Sequence, residues 1–201
     1  MPIVVTIDQR RSRSAEPGRV PALAAELNDA VGGQLELGFE QTVGDELQGV
    51  VRDAAALAEI VMRTVRGREW WIGVGFGPIE QPAGTARESS GEAFYRARQA
   101  VDRAKTTAWG VAVEGMNRWA ISVEQAVALL VAVADTRTAQ GWEAVDLKLR
   151  KGTSDEDIAR DLGVTRQAVQ QRLQAAHYYN ELGGRRLVAD LAALAESDVP
   201  A

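Results

Sequence analysis

Two carboxylates 37 residues apart, Asp8 and Asp45, with Glu46 beside the second, are the side chains of this 201-residue chain best placed to do chemistry. Asp8 closes the apolar run PIVVTID, and Asp45 and Glu46 lie in TVGDELQG between two further apolar runs. Acids that converge at one sheet edge either shift a pKa upward or recruit a cation. The chain has no Cys and a single His, His177, which excludes a disulfide scaffold, a thiol nucleophile and a Cys/His zinc cluster. A bound metal would therefore need oxygen ligands, which points to Mg, Mn or Ca. A divalent ion between Asp8 and Asp45 would bridge to triphosphate oxygens, with Arg10, Arg11 and Arg13 of the next loop turned toward the phosphates. The plainer alternative is a hairpin turn with two acids, a strand-end Asp, and arginines that simply pair with them.

A second group of residues suits nucleic acid. In GTSDEDIARDLGVTRQAVQQRLQAAHYY, Gly152 to Tyr179, two short helical stretches flank a turn at Leu162-Gly163-Val164. Ser154 caps the first and Asp157, three residues on, completes a near capping box, while Thr165 caps the second. Ile158, Ala159 and Leu162, then Ala168, Val169 and Leu173, form the inward stripes. This is a helix-turn-helix pattern, and Arg166, Gln167, Gln170, Gln171 and Arg172 are left facing outward with the donor geometry that suits guanine and adenine edges. Lys148, Arg150 and Lys151 precede it as a basic cluster for phosphates. Ser154 and Thr165, at the two helix starts, are counted among the DNA-contacting positions. The alternative is a three-helix packing module with a solvated polar face, and the acids Asp155, Glu156, Asp157 and Asp161 would weaken DNA affinity. One such module binds weakly, so double-stranded DNA as partner implies a homodimer.

The elements that must position these groups follow from periodicity. PIVVTID reads as a buried strand, and Val20, Leu23, Ala24, Leu27 and Val31 recur at helical spacing before Gly32-Gly33. QLELGFEQTV and LQGVV form a hairpin, Ala54 to Val65 a helix, and REWWIGVGF a strand whose glycines invite close backbone approach. Ser89 to Lys105 reads as a helix capped by Ser89 or Ser90, Ala108 to Val113 as a last strand, and Ser122 as the cap of a long apolar helix. The pattern implies an α/β (α+β) fold, a palm or ferredoxin-like antiparallel sheet with helices on one face, followed by an all-helical module. The boundaries expected are 1–120 for the sheet domain, 121–140 for a connecting helix and 141–201 for the helix-turn-helix domain. The net charge of -5 argues against non-specific nucleic-acid binding by the molecule as a whole, and with no apolar run long enough for a membrane span or signal core a cytoplasmic protein with no membrane partner is expected.

VVTID, FEQTVGDELQGVV and WWIGVGFGPI together resemble the palm-type domain of class III nucleotidyl cyclases and diguanylate cyclases. The whole chain resembles the SatD family more closely still. Asp8 with Ser12-Arg13 matches that family's opening, Gly44-Asp45-Glu46-Leu47-Gln48-Gly49 its hairpin, and Gly91, Ala93 and Phe94 a later segment. The resemblance implies metal ligands at Asp8, Asp45 and Glu46, Mg or Mn as the ion, and nucleotide contacts from Arg10, Arg11, Ser12, Arg13 and Gly44. Val43 and Leu47 depart from the diguanylate cyclase pattern, where Gly and Phe stand, so metal binding is expected ahead of catalysis. The leading expectation is a DNA-binding regulatory protein whose palm-like domain dimerises or senses a ligand. A metal-dependent enzyme acting on nucleoside triphosphates and a non-catalytic adaptor are the alternatives.

Overall fold

The computed structural model of the chain describes residues 2–10, 18–42, 44–80, 84–150 and 153–197. Strand β1 (Ile3–Gln9) is the centre of a five-stranded sheet of order β2-β3-β1-β4-β5, with β2 Leu35–Gln41, β3 Glu46–Val51, β4 Trp70–Phe76 and β5 Val111–Glu114. β1 pairs antiparallel with both β3 and β4, and β2 pairs antiparallel with β3. With helices α1 (Arg19–Val31) and α2 (Ala55–Thr64) this is the expected β-α-β-β-α-β unit and antiparallel sheet. The chain then adds α3 (Glu92–Ala104) and β5, which runs parallel to β4, so the complete sheet is mixed.

Alternation along β1 explains why both faces must be covered. Ile3, Val5 and Ile7 point into the main core, while Val4 belongs to a second cluster with Val50, Ala93, Phe94 and Ala97 from the α3 side. The helices are therefore not confined to one face: α1, α2 and α4 (Arg118–Asp135) cover one, and α3 covers the other. What lets α3 lie so close is the pair of glycines in β4. A Cβ on Gly73 would stand 2.2 Å from Val101 N, and one on Gly75 would stand 2.2 Å from Ala93 O. The facing helix positions are correspondingly small, with Ala93, Ala97, Ala100 and Ala104 all buried.

The edge strands are held from the side. β2 is irregular against β3 around Leu37, and Asn28 of α1 supplies the bonds lost there: its Oδ1 accepts from Phe39 N at 2.7 Å and its Nδ2 donates to Phe39 O at 2.8 Å. At the other edge, Val113 N donates to Glu124 Oε2 at 2.7 Å, so a carboxylate of α4 occupies a ladder position of β5.

Helix α4 starts earlier than Ser122. Asn117 caps it by accepting from Trp119 N at 3.0 Å, and Ser122 lies one turn inside, because the apolar stripe already begins at Ala120 and Val123. For α3, Gly91 rather than Ser89 or Ser90 occupies the cap position, with φ 135° that a side chain would strain. Then come α5 (Ala139–Leu149), α6 (Asp155–Leu162), α7 (Arg166–Ala175) and α8 (Tyr178–Glu196). These last helices divide between two cores. Ala144, Val145, Ile158, Ala159, Val169, Leu173, Ala176 and Tyr178 form a separate cluster, whereas Val188, Ala192 and Ala195 of α8 return to the main core. Among the described residues no single helix is long and apolar enough to cross a membrane.

Candidate nucleic-acid interface and the carboxylate pair of the sheet

Helices α6 and α7 form the turn motif with the caps read from the sequence. Ser154 Oγ accepts from Asp157 N at 3.2 Å and Asp157 Oδ2 accepts from Ser154 N at 3.2 Å, a complete capping box with Asp in the Glu position. Gly163 ends α6 with φ 64°, the left-handed conformation for which glycine is suited, and Thr165 Oγ1 accepts from Ala168 N at 3.1 Å to start α7. On the inner side of α7, Val169 and Leu173 are fully buried. Its outer side carries Arg166, Gln167, Gln170 and Gln171, all exposed, with Arg172 half-buried.

Charge around this face is balanced: between Gly141 and Tyr178, six Lys and Arg match six Asp and Glu. The acids of α6 are engaged by specific partners. Lys148 Nζ donates to Asp155 Oδ1 at 2.6 Å, which ties α5 to α6, and Gln170 Nε2 reaches Asp155 Oδ2 at 3.5 Å. Hydrogen bonding from Lys148 holds the Asp155 carboxyl below its ordinary value, and Ser154 does the same for Asp157. Arg166 pairs with Glu156 at 3.1 Å with both side chains more than half exposed, a geometry that contributes roughly 0–1 kcal/mol and leaves Arg166 free to re-aim. Arg172 stands 3.8 Å from Glu143. Lys151 lies outside the described residues.

On the sheet, the residue directly opposite Asp8 is Glu46, and Asp45 sits half-exposed in the turn just beyond the ladder. Like charges facing each other across two strands are destabilising. Arg98 of α3 and Lys105, the residue that caps its C-terminal end, neutralise them: Lys105 Nζ lies 2.8 Å from Asp8 and Arg98 Nη2 lies 2.7 Å from Glu46. Thr42 Oγ1 also donates to Glu46 Oε1 at 2.8 Å. The Lys105 ammonium is pushed above its usual value, chiefly by its bond to Asp8. Arg10 is held by the sheet itself: its Nε donates to Trp70 O at 3.0 Å and its guanidinium stacks 3.5 Å from the centre of the Trp71 ring. Burial, with Arg68 nearby, lowers the Arg10 pKa. Gly44 occupies an exposed turn position with φ 63°, and its carbonyl accepts from Gln41 Nε2. Arg11, Ser12 and Arg13 lie outside the described residues.

Among the described residues no group of three or more potential ligands gathers, and the two facing carboxylates already hold ammonium and guanidinium groups. Arg98 and Lys105 belong to no motif of the sequence. Their spacing of seven, two helical turns, is the signal that places both on one face of α3.

No family model and no curated protein matches the chain. Among solved structures it is similar to the crystal structure of a regulator of polyketide synthase expression from Bifidobacterium adolescentis, at 13% identity and a TM-score of 0.29, over 98% of this chain and 86% of that one. A likeness that distant carries neither a fold nor a function across.

Proposed function

We propose that the chain is a DNA-binding regulatory protein that reads double-stranded DNA with α7 and acts as a homodimer, its palm-like domain dimerising or sensing a ligand. The observation that carries this reading is the outer row of α7, Arg166, Gln167, Gln170 and Gln171, presented on a helix whose inner side is fixed by Val169 and Leu173. Arg and Gln are the side chains whose bidentate geometry matches guanine and adenine edges in the major groove. Balanced local charge makes non-specific affinity low, so discrimination has to come from base contacts. Selection from a random duplex pool at low salt tests this. The wild type should enrich a two-fold symmetric sequence, and Arg166→Ala with Gln170→Ala should weaken binding to it about tenfold or more, since each bidentate contact is worth roughly 1–3 kcal/mol. Failure to enrich any sequence, or a variant that binds like the wild type, removes the proposal.

One observation favours a second reading, a Mg- or Mn-dependent enzyme acting on nucleoside triphosphates: Asp8 and Glu46 stand in register on one face of the sheet. It requires a divalent ion to displace Lys105 and Arg98. Absence of turnover across the common triphosphates with either ion would count decisively against it.

A further inference from the structure

Only one side of α8 packs within the chain. Val188, Ala192 and Ala195 are buried in the main core, whereas Tyr179, Gly183, Arg186, Asp190 and Ala193 are exposed and Ser197, just past the helix, is partly covered. These outer positions are spaced 4, 3, 4, 3 and 4 residues apart, the spacing of a helix that lies along another helix. Leu182, Leu187 and Leu194 border the row and are 40, 48 and 42% exposed. Leu129 of α4, 68% exposed, extends the apolar surface beside them, since its neighbour Leu130 packs on Gly184. Leucines grouped in this way along one helix mark a surface that another protein covers.

The charges in the row identify that protein. Arg186 and Asp190 lie one turn apart and both are exposed, yet neither side chain enters an ion pair or a hydrogen bond among the described residues. When a second α8 lies antiparallel on the first, with the two-fold axis level with Val188, Arg186 of each copy meets Asp190 of the other. In the same register Gly183 meets Ala193, Tyr179 meets Ser197, and Leu182 stands level with Leu194. Opposite charges thus meet twice, small residues meet small, and the one large residue of the row meets a small one. A parallel pair would instead set Arg186 against Arg186 and Asp190 against Asp190. An antiparallel pair slipped by one heptad would leave all four charges without partners. Nothing lies within 4 Å of a Cβ built at Gly183, so the backbone there is open to close approach.

We propose that α8 is a self-association surface on which a second copy of this chain docks antiparallel, held in register by two reciprocal Arg186–Asp190 pairs. The inference rests on the homodimer of the functional reading and gives it a place. It also bears on DNA, because α7 ends at Ala175, directly before α8 begins at Tyr178. At 1.5 Å per residue the stretch from His177 to Val188 is about 17 Å long, so the two α7 ends stand roughly 33 Å apart along the pair. Half-sites in successive major grooves are about 34–36 Å apart.

Sedimentation equilibrium of the full chain without DNA, at low salt and across the micromolar range, tests the surface. The wild type should be a dimer. Arg186→Asp alone and Asp190→Arg alone each set like charges against one another and should weaken association about tenfold or more, and the two changes combined should restore it to within about threefold of the wild type. Both positions are exposed, so each variant should keep the circular dichroism spectrum and monomer fold of the wild type. A dimer indifferent to either reversal, or a double variant that stays dissociated, overturns the α8 surface and leaves a homodimer formed elsewhere. A monomeric wild type removes the surface and the homodimer of the functional reading together, while base reading by α7 stands or falls on the duplex selection.

Discussion

Gly75→Ala is the smallest change that challenges how the sheet face and α3 fit together. The added Cβ would lie 2.2 Å from Ala93 O and 2.3 Å from Ala97 N, both backbone atoms, whereas real Cβ contacts essentially never fall under 3.0 Å. Helix α3 must therefore retreat by about 0.8 Å, since no flexible side chain is available to give way. Overpacking of this kind costs about 1–3 kcal/mol, and the backbone contacts put it near the top of that range. Alanine also lowers the entropy of the unfolded chain, which returns about 0.4–1 kcal/mol. The net loss is about 2 kcal/mol, or a melting temperature lower by about 4–8 °C at this chain length. Gly33→Ala is the matched control, because nothing lies within 4 Å of a Cβ at that position. Calorimetric unfolding of both variants checks the argument. A Gly75→Ala protein that melts with the wild type, or with Gly33→Ala, refutes the close seating of α3 on β4.

Two further outcomes follow from the charged groups. Asp155 has its carboxyl held below the ordinary 3.8 by Lys148, and Asp157 has its own held below the same value by Ser154. A depressed folded-state pKa contributes stability that is present above pH 3.8 and lost as pH falls through the folded value. The turn motif should thus loosen only in that acid window; carboxyl chemical shifts read the midpoints, and a midpoint for Asp155 at or above 3.8, or one that does not rise in Lys148→Met, contradicts the assignment. On the sheet, Arg98→Met with Lys105→Met removes both protein cations from Glu46 and Asp8. Manganese binding followed by electron paramagnetic resonance should be tighter in that variant than in the wild type, and equal affinity would show that α3 is not what keeps a divalent ion out.

The legible parts of this chain are those governed by local periodicity. Ile3, Val5 and Ile7 announce a strand, and Ile158, Val169 and Leu173 with Ser154, Gly163 and Thr165 announce two capped helices around a tight turn. What stayed hidden depends on pairs distant in sequence. The side of the sheet taken by α3 is decided by Gly73 and Gly75 meeting Ala93 and Ala97, and either glycine alone reads as a bulge. Likewise Asp8 and Glu46 face one another only because β1 and β3 pair in that register, and their cations come from far along the chain, Arg98 lying 52 residues after Glu46 and Lys105 further still. The return of α8 to the main core is equally non-local, since its alanines give a weak stripe that two different cores could accept.

The two charged centres differ in what they allow to move. At the sheet each carboxylate meets a cation that is about half exposed, so an incoming ion competes with groups that water already reaches. At the α4–α5 junction the pair Arg137 and Glu181 is fully buried, and buried pairs add little net stability over an apolar replacement while strongly penalising the loss of one partner. Such a pair acts by fixing geometry. Here it joins the start of α8, through Glu181, to the junction after α4, through Arg137, and Arg137 in turn holds the end of α7. Arg137 thus fixes the α4–α5 junction against both α7 and α8, and its loss would leave Glu181 to Arg185 alone.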